Sequence, residues 1–581
     1  MIGRWRKNGQ GEGQGQGQGH GEGEAAAGRI VIDGLAKTSG GRGRSRIVMT
    51  MAVFFCLYGA IAGRLVFLGT QELEEGGPGP SRVTASRPDI VDRNGEVLAT
   101  DINTASLYAE PRRIVDADEA LEKLLTVLPD LNVEQTWNRL KSDAGFIWLR
   151  RQLSPRQQQA IMQLGIPGVG FRTEKRRFYP GGPTAAHIVG LVNVDNKGIA
   201  GMEKYIDDQG LADLQATGLA IPKDLEPVRL SIDLRVQHIL RDELEQAMER
   251  YRAIGAGAVV LDARSGEVLG MASLPDYDPN NPYNAHEKDR LNRMSAGVYE
   301  MGSTFKGFTL AMALDAGTAT LDSRFDASRP IQIARHTIRD FHGKGRVLTV
   351  PEVFIYSSNI GTARMAETVS VEHHRAFFRQ IGLLDRMTTE LPEVARPTEP
   401  AEWKRIHQIT ISFGHGVATT PLQTAMSAAA MLNGGLLMQP TFLPRDAAQA
   451  MAGATRVIKA KTSGMMRYLF RLNVEKGSGR RAEVPGYFVG GKTGTAEKVV
   501  NGRYSNDKRF NGFLAGFPVN DPQYIVLVVL DEPKPEKPGM SATSGLNAAP
   551  VVGNIIRRSA ALLGVKPDFG HESGALLVSS Q

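Results

Sequence analysis

A serine and a lysine lie three residues apart where an apolar, helix-like stretch begins, in the segment YEMGSTFKGFTLAMALDAG at 299–317. If Gly302 closes a turn and the helix begins at Ser303, then Ser303 and Lys306 share one helix face and their side chains can meet. Gly317 is a natural stop for this helix. A hydroxyl beside an amine is one way to obtain an activated nucleophile. The simpler interpretation is a helix cap beside a solvated lysine, and a lone S-x-x-K favours it because the pattern recurs by chance.

The chain contains one other S-x-x-K, which provides a comparison. Ser505 and Lys508 lie in the polar stretch NGRYSNDKRFNG, where Asn, Gly and Asp are frequent and no apolar face follows. This composition predicts a loop. The two copies differ in their surroundings, so the significance of Ser303 depends on the rest of the chain.

Two further motifs follow the first one in order. The stretch YSSNI contains the only S-x-N of the chain, formed by Ser357 and Asn359. The stretch GGKTGTAEK contains the only K-T-G. Its residues are Lys492, Thr493, Gly494 and the following Thr495. Three ordered motifs in one domain are a far more specific signal than any one of them.

The elements around these motifs predict an α+β domain over 227–565. VRLSIDLRVQHILRDELEQAMERY predicts a strand and an amphipathic helix, and AGAVVLDARSGEVLGMASL predicts a hairpin that turns at Gly266. GYFVGGKTGTAEKVV, FNGFLAGFP and QYIVLVVLDEP predict three more strands, with the most apolar one central. Strands at both ends with helices between them indicate an antiparallel sheet covered by helices.

A mixed module over 69–226 precedes this domain. The Gly/Pro linker EEGGPGPSR leads into DIVDRNGEVLAT, which predicts a hairpin with a type I′ turn at Gly95 and the asparagine before it. Helices are expected around 116–128 and 155–164, and a strand is expected near 187–194. The mixture of short helices, strands and Gly/Pro turns predicts a supporting module.

Both ends of the chain differ from the middle. Residues 1–46 lack the apolar side chains of a core and predict a disordered cytoplasmic tail, and 566–581 are expected to form a second tail. Residues 47–68 are long and apolar enough for a transmembrane helix, interrupted only by Arg64. Arginines precede this segment and glutamates follow it, so the rest of the chain is expected outside. An Ala-x-Ala at Ala60 suits signal cleavage, but the apolar run continues past it and favours an uncleaved anchor.

Composition narrows the classes of function. The net charge of +7 over 581 residues is mild and the charges are interspersed, so nucleic acid is not an expected partner. The only cysteine, Cys56, lies in the apolar segment, which leaves the exported part without disulfides, thiolate metal sites or a cysteine nucleophile. HEKDR lacks the second histidine of a zinc motif, and His373 and His374 point apart on a helix. No metal and no cofactor are predicted.

With its three motifs in this order, the chain resembles the penicillin-binding proteins and serine β-lactamases. The stretches SRPDIVDRNGEVLA, GIAGMEKY, NRMSAGVYEMGSTFK, SFGHGVATTPLQTAMSAAAMLNGG and TSGLNAAPVVGNI extend the likeness to class B penicillin-binding proteins over roughly 85–560, nearest to the cell-division transpeptidases. The resemblance implies a transpeptidase domain, a preceding dimerisation or pedestal domain, and one transmembrane helix. One departure is Met301, where most relatives have proline, which changes the rigidity of the helix start but removes no catalytic group.

The resemblance also implies roles for the motif residues. Ser303 would attack the carbonyl between two D-alanines, with Lys306 as its base. Lys306 must then be neutral, which burial and a second cation, Lys492, would favour. Ser357 would pass a proton to the leaving amine, and Asn359 would hold the substrate amide and Lys306. The simpler alternative for these two residues is a helix cap.

The K-T-G strand is expected to bind the donor peptide. Thr493 and Thr495, beside the lysine, suit a terminal carboxylate, and Gly494 would leave room for the acyl group. The backbone N–H groups of Ser303 and Thr495 would form an oxyanion hole. A loop or packing role is expected for His415 in FGHG, because a lysine already fills the position of the base.

The expected function is a peptidoglycan D,D-transpeptidase that cross-links stem peptides at the division septum, on the outer face of the cytoplasmic membrane, and is a target of β-lactams. No glycosyltransferase is implied, so a membrane-embedded glycan polymerase and other division proteins are the expected partners. An elongation-type transpeptidase is one alternative, and a non-catalytic β-lactam sensor or scaffold is another. A β-lactamase is disfavoured because no E-x-x-L-N stretch lies between Ser357 and Lys492.

Overall fold

The structure is a computed structural model that describes most of the chain. The described residues are 40–70, 87–209, 226–333, 336–500 and 502–570. Most of the predicted tail 1–46, the Gly/Pro linker and most of the predicted tail 566–581 lie outside the described residues. The chain divides into two units, 1–79 and 80–581.

The first unit contributes one described helix, α1 (Gly40–Thr70). The predicted anchor 47–68 falls within α1, and Cys56 is exposed on it. Across the described ranges, no helix combines the length and the apolar character needed to cross a membrane.

The second unit begins with a mixed module around an antiparallel sheet. Its strands are β1 (Ile90–Val91), β2 (Val97–Ala109), β3 (Ile147–Leu153), β4 (Val169–Phe178), β5 (Leu191–Val192), β6 (Gly198–Ala200) and β7 (Val228–Arg229). Its helices are α2 (Ala117–Val127), α3 (Val133–Leu140), α4 (Pro155–Gln163), α5 (Ala186–Val189) and α6 (Gly201–Asp208). The long strand β2 pairs with β1, β3 and β4, and β7 extends the sheet by pairing with β1 in parallel.

Two local predictions for this module are wrong in detail. The hairpin of β1 and β2 forms, but only Gly95 has a positive φ in its turn, whereas a type I′ turn needs two such residues. The Asp92 carboxylate instead accepts hydrogen bonds from the N–H groups of Asn94 and Glu96 at 2.8 and 2.9 Å. The strand expected near 187–194 is mostly replaced by α5, and only the two residues of β5 are extended.

A buried group of charges joins the start of this module to α6. Arg87 and Arg177 both pair with Glu203, at 2.9 and 2.6 Å, and these three side chains are almost fully buried. Asp207 pairs with Arg87 at 2.5 Å, and Asp101 pairs with Arg177 at 3.2 Å. Two arginines and three carboxylates therefore satisfy one another away from water, as buried ions require.

The rest of the second unit is a five-stranded antiparallel sheet with helices on both faces. Its strands are β8 (Gly255–Asp262), β9 (Val268–Leu274), β16 (Gly490–Val500), β17 (Arg503–Phe517) and β18 (Tyr524–Asp531), with short strands β10 (Arg324–Asp326), β11 (Ile331–Ile333), β12 (His336–Ile338), β13 (Val347–Thr349), β14 (Leu436–Leu437) and β15 (Thr455–Arg456) outside it. Its helices are α7 (Leu234–Tyr251), α8 (Phe305–Ala316), α9 (Val350–Ile355), α10 (Asn359–Ala366), α11 (Val371–Gln380), α12 (Arg405–Ser412), α13 (Pro421–Leu432), α14 (Ala447–Ala452), α15 (Ala460–Lys476) and α16 (Ala548–Ser559). The main sheet has the order β16–β17–β18–β8–β9.

The most apolar strand, β18, is central, as predicted. Alternate residues of β18 belong to two hydrophobic cores, because neighbouring side chains of a strand point to opposite faces. Ile525, Leu527 and Val529 share one core with α8, α13 and α15, whereas Val526, Val528 and Leu530 share the other with α7 and α16. The strand that carries Lys492 lies at the edge. The loop predicted at Ser505 is wrong, because that stretch lies within β17.

Candidate active site

Ser303 lies in a short turn that leads into a buried helix. The 3₁₀ turn Gly302–Thr304 comes directly before α8, and Gly302 has a φ of +52°, which glycine adopts without strain. Gly317 takes a left-handed conformation and ends the helix, as predicted. Ser303 is half-buried, whereas Lys306 is only 1% exposed.

Lys306 connects the first motif to the second. Its ammonium donates hydrogen bonds to the carbonyl oxygen and the hydroxyl oxygen of Ser357, at 2.5 and 3.0 Å. Within the described residues no hydrogen bond joins Lys306 to Ser303 or to Asn359, so these two expected contacts are not formed in this structure. The amine of Lys306 is instead held by Ser357.

Lys492 reaches the same hydroxyl from the edge strand β16. Its ammonium donates to Ser357 Oγ at 3.1 Å and to the Thr493 carbonyl oxygen at 3.0 Å. Its side chain is fully buried. One hydroxyl oxygen has two lone pairs, and here both lysines donate to it. Ser357 therefore joins all three motifs.

The backbone of Ser357 is strained. Its φ is +55°, in the left-handed region that few residues other than glycine occupy. The chain is fixed there because the Ser358 N–H closes the end of α9 by donating to the Val353 carbonyl at 3.0 Å. Ser358 also caps α10, since its Oγ accepts from the Gly361 N–H at 2.9 Å. Ser358 is thus the residue of this motif that caps a helix. The Ser357 hydroxyl instead accepts hydrogen bonds from the two lysines.

Burial changes the pKa of both lysines. It lowers the pKa of Lys306 to about 7, and the negative charge of Asp340 opposes this shift. It also lowers the pKa of Lys492 well below the usual value, and the charge of Lys306 adds to that shift. A charge on Lys306 disfavours protonation of Lys492, because the two amines share one oxygen. A neutral amine is therefore accessible near neutral pH.

Asp340 supports the second motif, although no sequence motif marks it. Its carboxylate accepts hydrogen bonds from Ser358 Oγ at 2.7 Å and from the Ile360 N–H at 2.9 Å. The carbonyl oxygen of Arg339 accepts from the Asn359 side-chain amide at 2.9 Å. Asp340 lies 18 residues before Ser358 in the chain, so no helical or strand spacing could have linked the two.

The two threonines of the third motif have different partners. Thr493 Oγ1 lies 2.7 Å from Ser478 Oγ, and either oxygen can be the donor. Thr495 Oγ1 accepts a hydrogen bond from the Ser544 N–H at 3.2 Å. Sequence reasoning did not select Ser478, which follows α15. Ser544 lies in TSGLNAAP, a stretch noted only for its resemblance to the family.

The structure gives a packing reason for a glycine at 494. A Cβ on Gly494 would lie 2.4 Å from the Met301 carbonyl oxygen and 2.7 Å from the Thr304 side chain. The glycine therefore lets the edge strand approach the 3₁₀ turn, and the expected room for an acyl group stays a prediction. A Cβ on Gly302 would likewise lie 2.7 Å from the Thr495 carbonyl oxygen. The two backbone segments expected to form the oxyanion hole are therefore adjacent.

A glycine-rich loop after α12 packs against the same turn. A Cβ on Gly414 would lie only 2.0 Å from the Gly302 carbonyl oxygen. The Glu300 carboxylate, just before the turn, accepts hydrogen bonds from the Gly416 N–H at 2.7 Å and from the Tyr504 hydroxyl at 3.2 Å. The edge strand, its hairpin partner β17 and this loop together hold the position of the turn.

His415 lies in this loop and packs between two rings. Its ring centre is 5.5 Å from those of Phe413 and Tyr504. Burial is the main reason that its pKa is lowered to about 4, with a further contribution from the charge of Lys306. His415 is therefore neutral at physiological pH, and its contacts fit the packing role expected of it.

Two family models match the chain. The model described as "Penicillin-binding Protein dimerisation domain" matches residues 82–212, and "Penicillin binding protein transpeptidase domain" matches residues 256–557. The second match covers the sheet and all three motifs. The first match covers most of the mixed module.

Curated relatives align over nearly the whole chain. "Probable peptidoglycan D,D-transpeptidase FtsI" of Caulobacter vibrioides is 41% identical over 90% of this chain and 89% of the relative. "Probable peptidoglycan D,D-transpeptidase PenA" of Neisseria gonorrhoeae is 34% identical over 91% and 94%. "Peptidoglycan D,D-transpeptidase FtsI" of Escherichia coli K12 is 29% identical over 84% and 85%. The chain therefore belongs to the class B penicillin-binding proteins and is similar to the members named FtsI.

Proposed function

We propose that this protein is a peptidoglycan D,D-transpeptidase of the division septum that acts through an acyl-enzyme on Ser303. The observation that carries the proposal is the convergence of Lys306 and Lys492 on the Ser357 hydroxyl, beside the turn that holds Ser303. Acyl transfer through a serine needs a base with a lowered pKa, and burial provides one in Lys306. The names of the relatives support the substrate class.

In the first half-reaction, Ser303 attacks the carbonyl between the two terminal D-alanines of a donor stem peptide. Neutral Lys306 takes the hydroxyl proton as the new C–O bond forms. The C–N bond then breaks, and terminal D-alanine leaves after its nitrogen has gained a proton. The donor peptide stays attached to Ser303 as an ester.

Ser357 completes the path of the proton in this proposal. Once Lys306 is an ammonium, it donates to Ser357 Oγ, while the Ser357 hydroxyl hydrogen is free to pass to the leaving nitrogen. One proton then arrives at the oxygen as another departs, so Ser357 keeps its charge. Lys492, on the second lone pair of the same oxygen, favours delivery of the proton away from the two lysines.

The third motif is assigned to the donor's terminal carboxylate. The hydroxyl groups of Thr493 and Thr495 lie on one face of the edge strand β16, and Lys492 Nζ lies 3.4 Å from Thr493 Oγ1. Hydroxyl and amine donors suit a carboxylate. The N–H groups of Ser303 and Thr495, on adjacent backbone segments, suit the developing oxyanion.

The second half-reaction releases the enzyme. The amine of a neighbouring stem peptide attacks the ester carbonyl, and neutral Lys306 accepts the proton that this amine loses. The new amide is the cross-link, and the C–O bond to Ser303 breaks as the oxygen regains its proton. The Ser357 hydroxyl and the two lysines return to their starting state.

The cellular setting belongs to the same proposal. We assign residues 47–68 as a single uncleaved anchor in the cytoplasmic membrane, with the N-terminus in the cytoplasm and the catalytic part outside, supported by the apolar sequence and its flanking charges. A membrane-embedded glycan polymerase and other division proteins are the proposed partners. Neither matching family model is a glycan polymerase, so strand growth must come from another protein.

Covalent labelling tests the chemistry. The full chain in detergent, incubated with benzylpenicillin, should gain one penicilloyl group on Ser303, detectable by mass spectrometry of the intact protein and its peptides. Ser303→Ala should abolish labelling and leave the fold unchanged. Ser505→Ala, in the other S-x-x-K, is the matched control and should label normally. Label on another residue, or label that persists in Ser303→Ala, would contradict the proposal.

A depletion experiment tests the septal assignment. Cells that lose the protein should grow as filaments with unfinished septa, and a fluorescent fusion should gather at midcell. Round, swollen cells with fluorescence along the side wall would support the elongation-type alternative instead.

A further inference from the structure

A loop on the surface covers the second motif. We call residues 339–346, with the sequence RDFHGKGR, the rim loop; they lie between β12 and β13. The Arg339 carbonyl accepts the hydrogen bond from Asn359, and the Lys344 ammonium lies 4.8 Å from the ring centre of Tyr356. The backbone of the rim loop is thus attached to the S-x-N motif, while all its residues except Asp340 are exposed.

Two cations of the rim loop have no carboxylate partner within the described residues. The Arg339 and Lys344 residues are exposed, and within the described residues neither forms an ion pair. Arg346, in the same loop, differs because it pairs with Glu352 at 2.6 Å. The one carboxylate of the loop, Asp340, is occupied by α10. The outer side of the loop therefore presents two unneutralised positive charges.

An exposed ring accompanies these charges. Phe341 is 72% exposed, and its ring centre lies 4.5 Å from that of His342. A single exposed apolar side chain is common on protein surfaces. Here, however, Phe341 lies between Arg339 and Lys344 in the sequence, in a loop attached to the motif expected to hold a substrate amide. Cations with an apolar ring fit a ligand that carries both carboxylates and methyl groups.

We propose that the rim loop binds the carboxylate-bearing part of the donor stem peptide, upstream of its D-Ala-D-Ala end. This inference rests on the proposed function. Asn359 is assigned to the donor's backbone amide, so the donor runs past the residue that Arg339 supports. Its side carboxylates then pass the Arg339 guanidinium, whose fork of N–H groups matches a carboxylate, and the Lys344 ammonium. A stem peptide is an anionic chain rich in alanine methyl groups, which is the chemistry that the loop presents.

Penicillin separates this recognition from the chemistry at Ser303. It resembles only the D-Ala-D-Ala end of the donor and has no upstream carboxylates. Substitution of the rim-loop cations should therefore weaken the binding of a stem peptide and spare the acylation rate with penicillin. The contact between the loop and Asn359 uses a backbone carbonyl, so side-chain substitutions at Arg339 preserve it.

The test is a competition assay with the full chain in detergent. The probe is the pentapeptide L-Ala-γ-D-Glu-L-Lys-D-Ala-D-Ala, and its ability to slow acylation of Ser303 by a fluorescent penicillin gives its apparent binding constant. A second peptide with D-isoglutamine in place of D-Glu lacks the upstream carboxylate. The variant is Arg339→Gln with Lys344→Gln. The matched control is Arg156→Gln with Lys461→Gln, two exposed cations that likewise form no ion pair within the described residues.

We expect the rim-loop variant to weaken the D-Glu peptide about threefold to tenfold, the range for two exposed ion pairs, and to leave the D-isoglutamine peptide unchanged. The control variant should bind both peptides as the unmodified protein does. Equal loss with both peptides, an effect no larger than in the control, or a fall in penicillin acylation would overturn the inference. Failure of the unmodified protein to acylate at all would instead contradict the proposed function.

Discussion

At the scale of single residues, the site depends on one hydroxyl group. Ser357 Oγ accepts from Lys306 and Lys492, and the backbone beneath it has a φ of +55°. A left-handed serine costs roughly 1 kcal/mol or more, and such strain persists only where the surroundings enforce it. Ser358 and Asp340 supply that enforcement through the cap of α10. The strained backbone places Ser357 Oγ where it can accept hydrogen bonds from the buried amines of Lys306 and Lys492.

Acylation should depend on pH around neutrality because of Lys306. Its neutral form is the base and its pKa is lowered to about 7. The second-order rate constant for acylation by penicillin should fall about tenfold per pH unit below pH 7 and level off above it. Lys306→Arg, which stays protonated, should lose several orders of magnitude across the range. A profile in the unmodified protein that is flat between about pH 5 and 9 would contradict this assignment.

Two substitutions of Ser357 should separate its chemistry from its strain. Ser357→Gly and Ser357→Ala both remove the hydroxyl, so both should slow acylation by about 10²–10³-fold, as loss of a proton-transfer group does. The glycine variant should be about 1 kcal/mol more stable than the alanine variant, because only glycine takes a positive φ without strain. Denaturant unfolding of both variants measures this difference. Equal stabilities would mean that the backbone at 357 is not held as described.

At the scale of elements, the 3₁₀ turn before α8 is held between β16 and the loop after α12. Gly494 and Gly414 allow close backbone contacts on the two sides of this turn. Glu300, just before the turn, accepts hydrogen bonds from the loop and from β17. The position of Ser303 is therefore set by three segments that are distant in the chain. Met301 is 2% exposed, and its carbonyl oxygen lies against Gly494.

Alanine at two neighbouring glycines tests these contacts. Gly414 and Gly416 both have a positive φ, of +90° and +92°, so alanine is strained equally at either position. Only at 414 would the new Cβ also meet the Gly302 carbonyl oxygen, at 2.0 Å, whereas at 416 its nearest contacts are 3.7 Å away. Gly414→Ala should therefore slow acylation at least about tenfold more than Gly416→Ala, since small displacements of a reacting group are costly. Equal rates in the two variants would contradict this role for the contact at Gly414.

The sequence predicted the elements better than the contacts between them. Apolar content was enough to place β18 at the centre, because a central strand is covered on both faces. It could not reveal Asp340, whose partners are far away in the chain, or the contact between Gly494 and Met301. The motif spacing suggested that Ser303 and Lys306 bond directly, but the Ser357 oxygen competes for the amine.

At the scale of the whole molecule, the mixed module depends on its buried charges. Glu203→Ala would leave Arg87 and Arg177 without their shared partner and should destabilise the module by about 3–5 kcal/mol. The matched control is Glu119→Ala, which removes an exposed pair with Lys123 and should cost about 0.5 kcal/mol or less. Fluorescence of Trp137 and Trp148, both in this module, can follow its unfolding in urea. Equal losses in the two variants would contradict a structural role for the network.

The strand order also has a consequence for folding during synthesis. The pairing of β8 with β18 joins Asp262 to Tyr524, 262 positions later in the chain. During synthesis the hairpin of β8 and β9 must therefore wait, with one open edge, until nearly the whole chain has emerged, and open edges attract wrong partners. A message truncated before β18 would yield no partial enzyme, because the central strand and its side chains in both cores would be missing. We therefore expect the strand order to make folding dependent on chaperones and sensitive to late nonsense mutations.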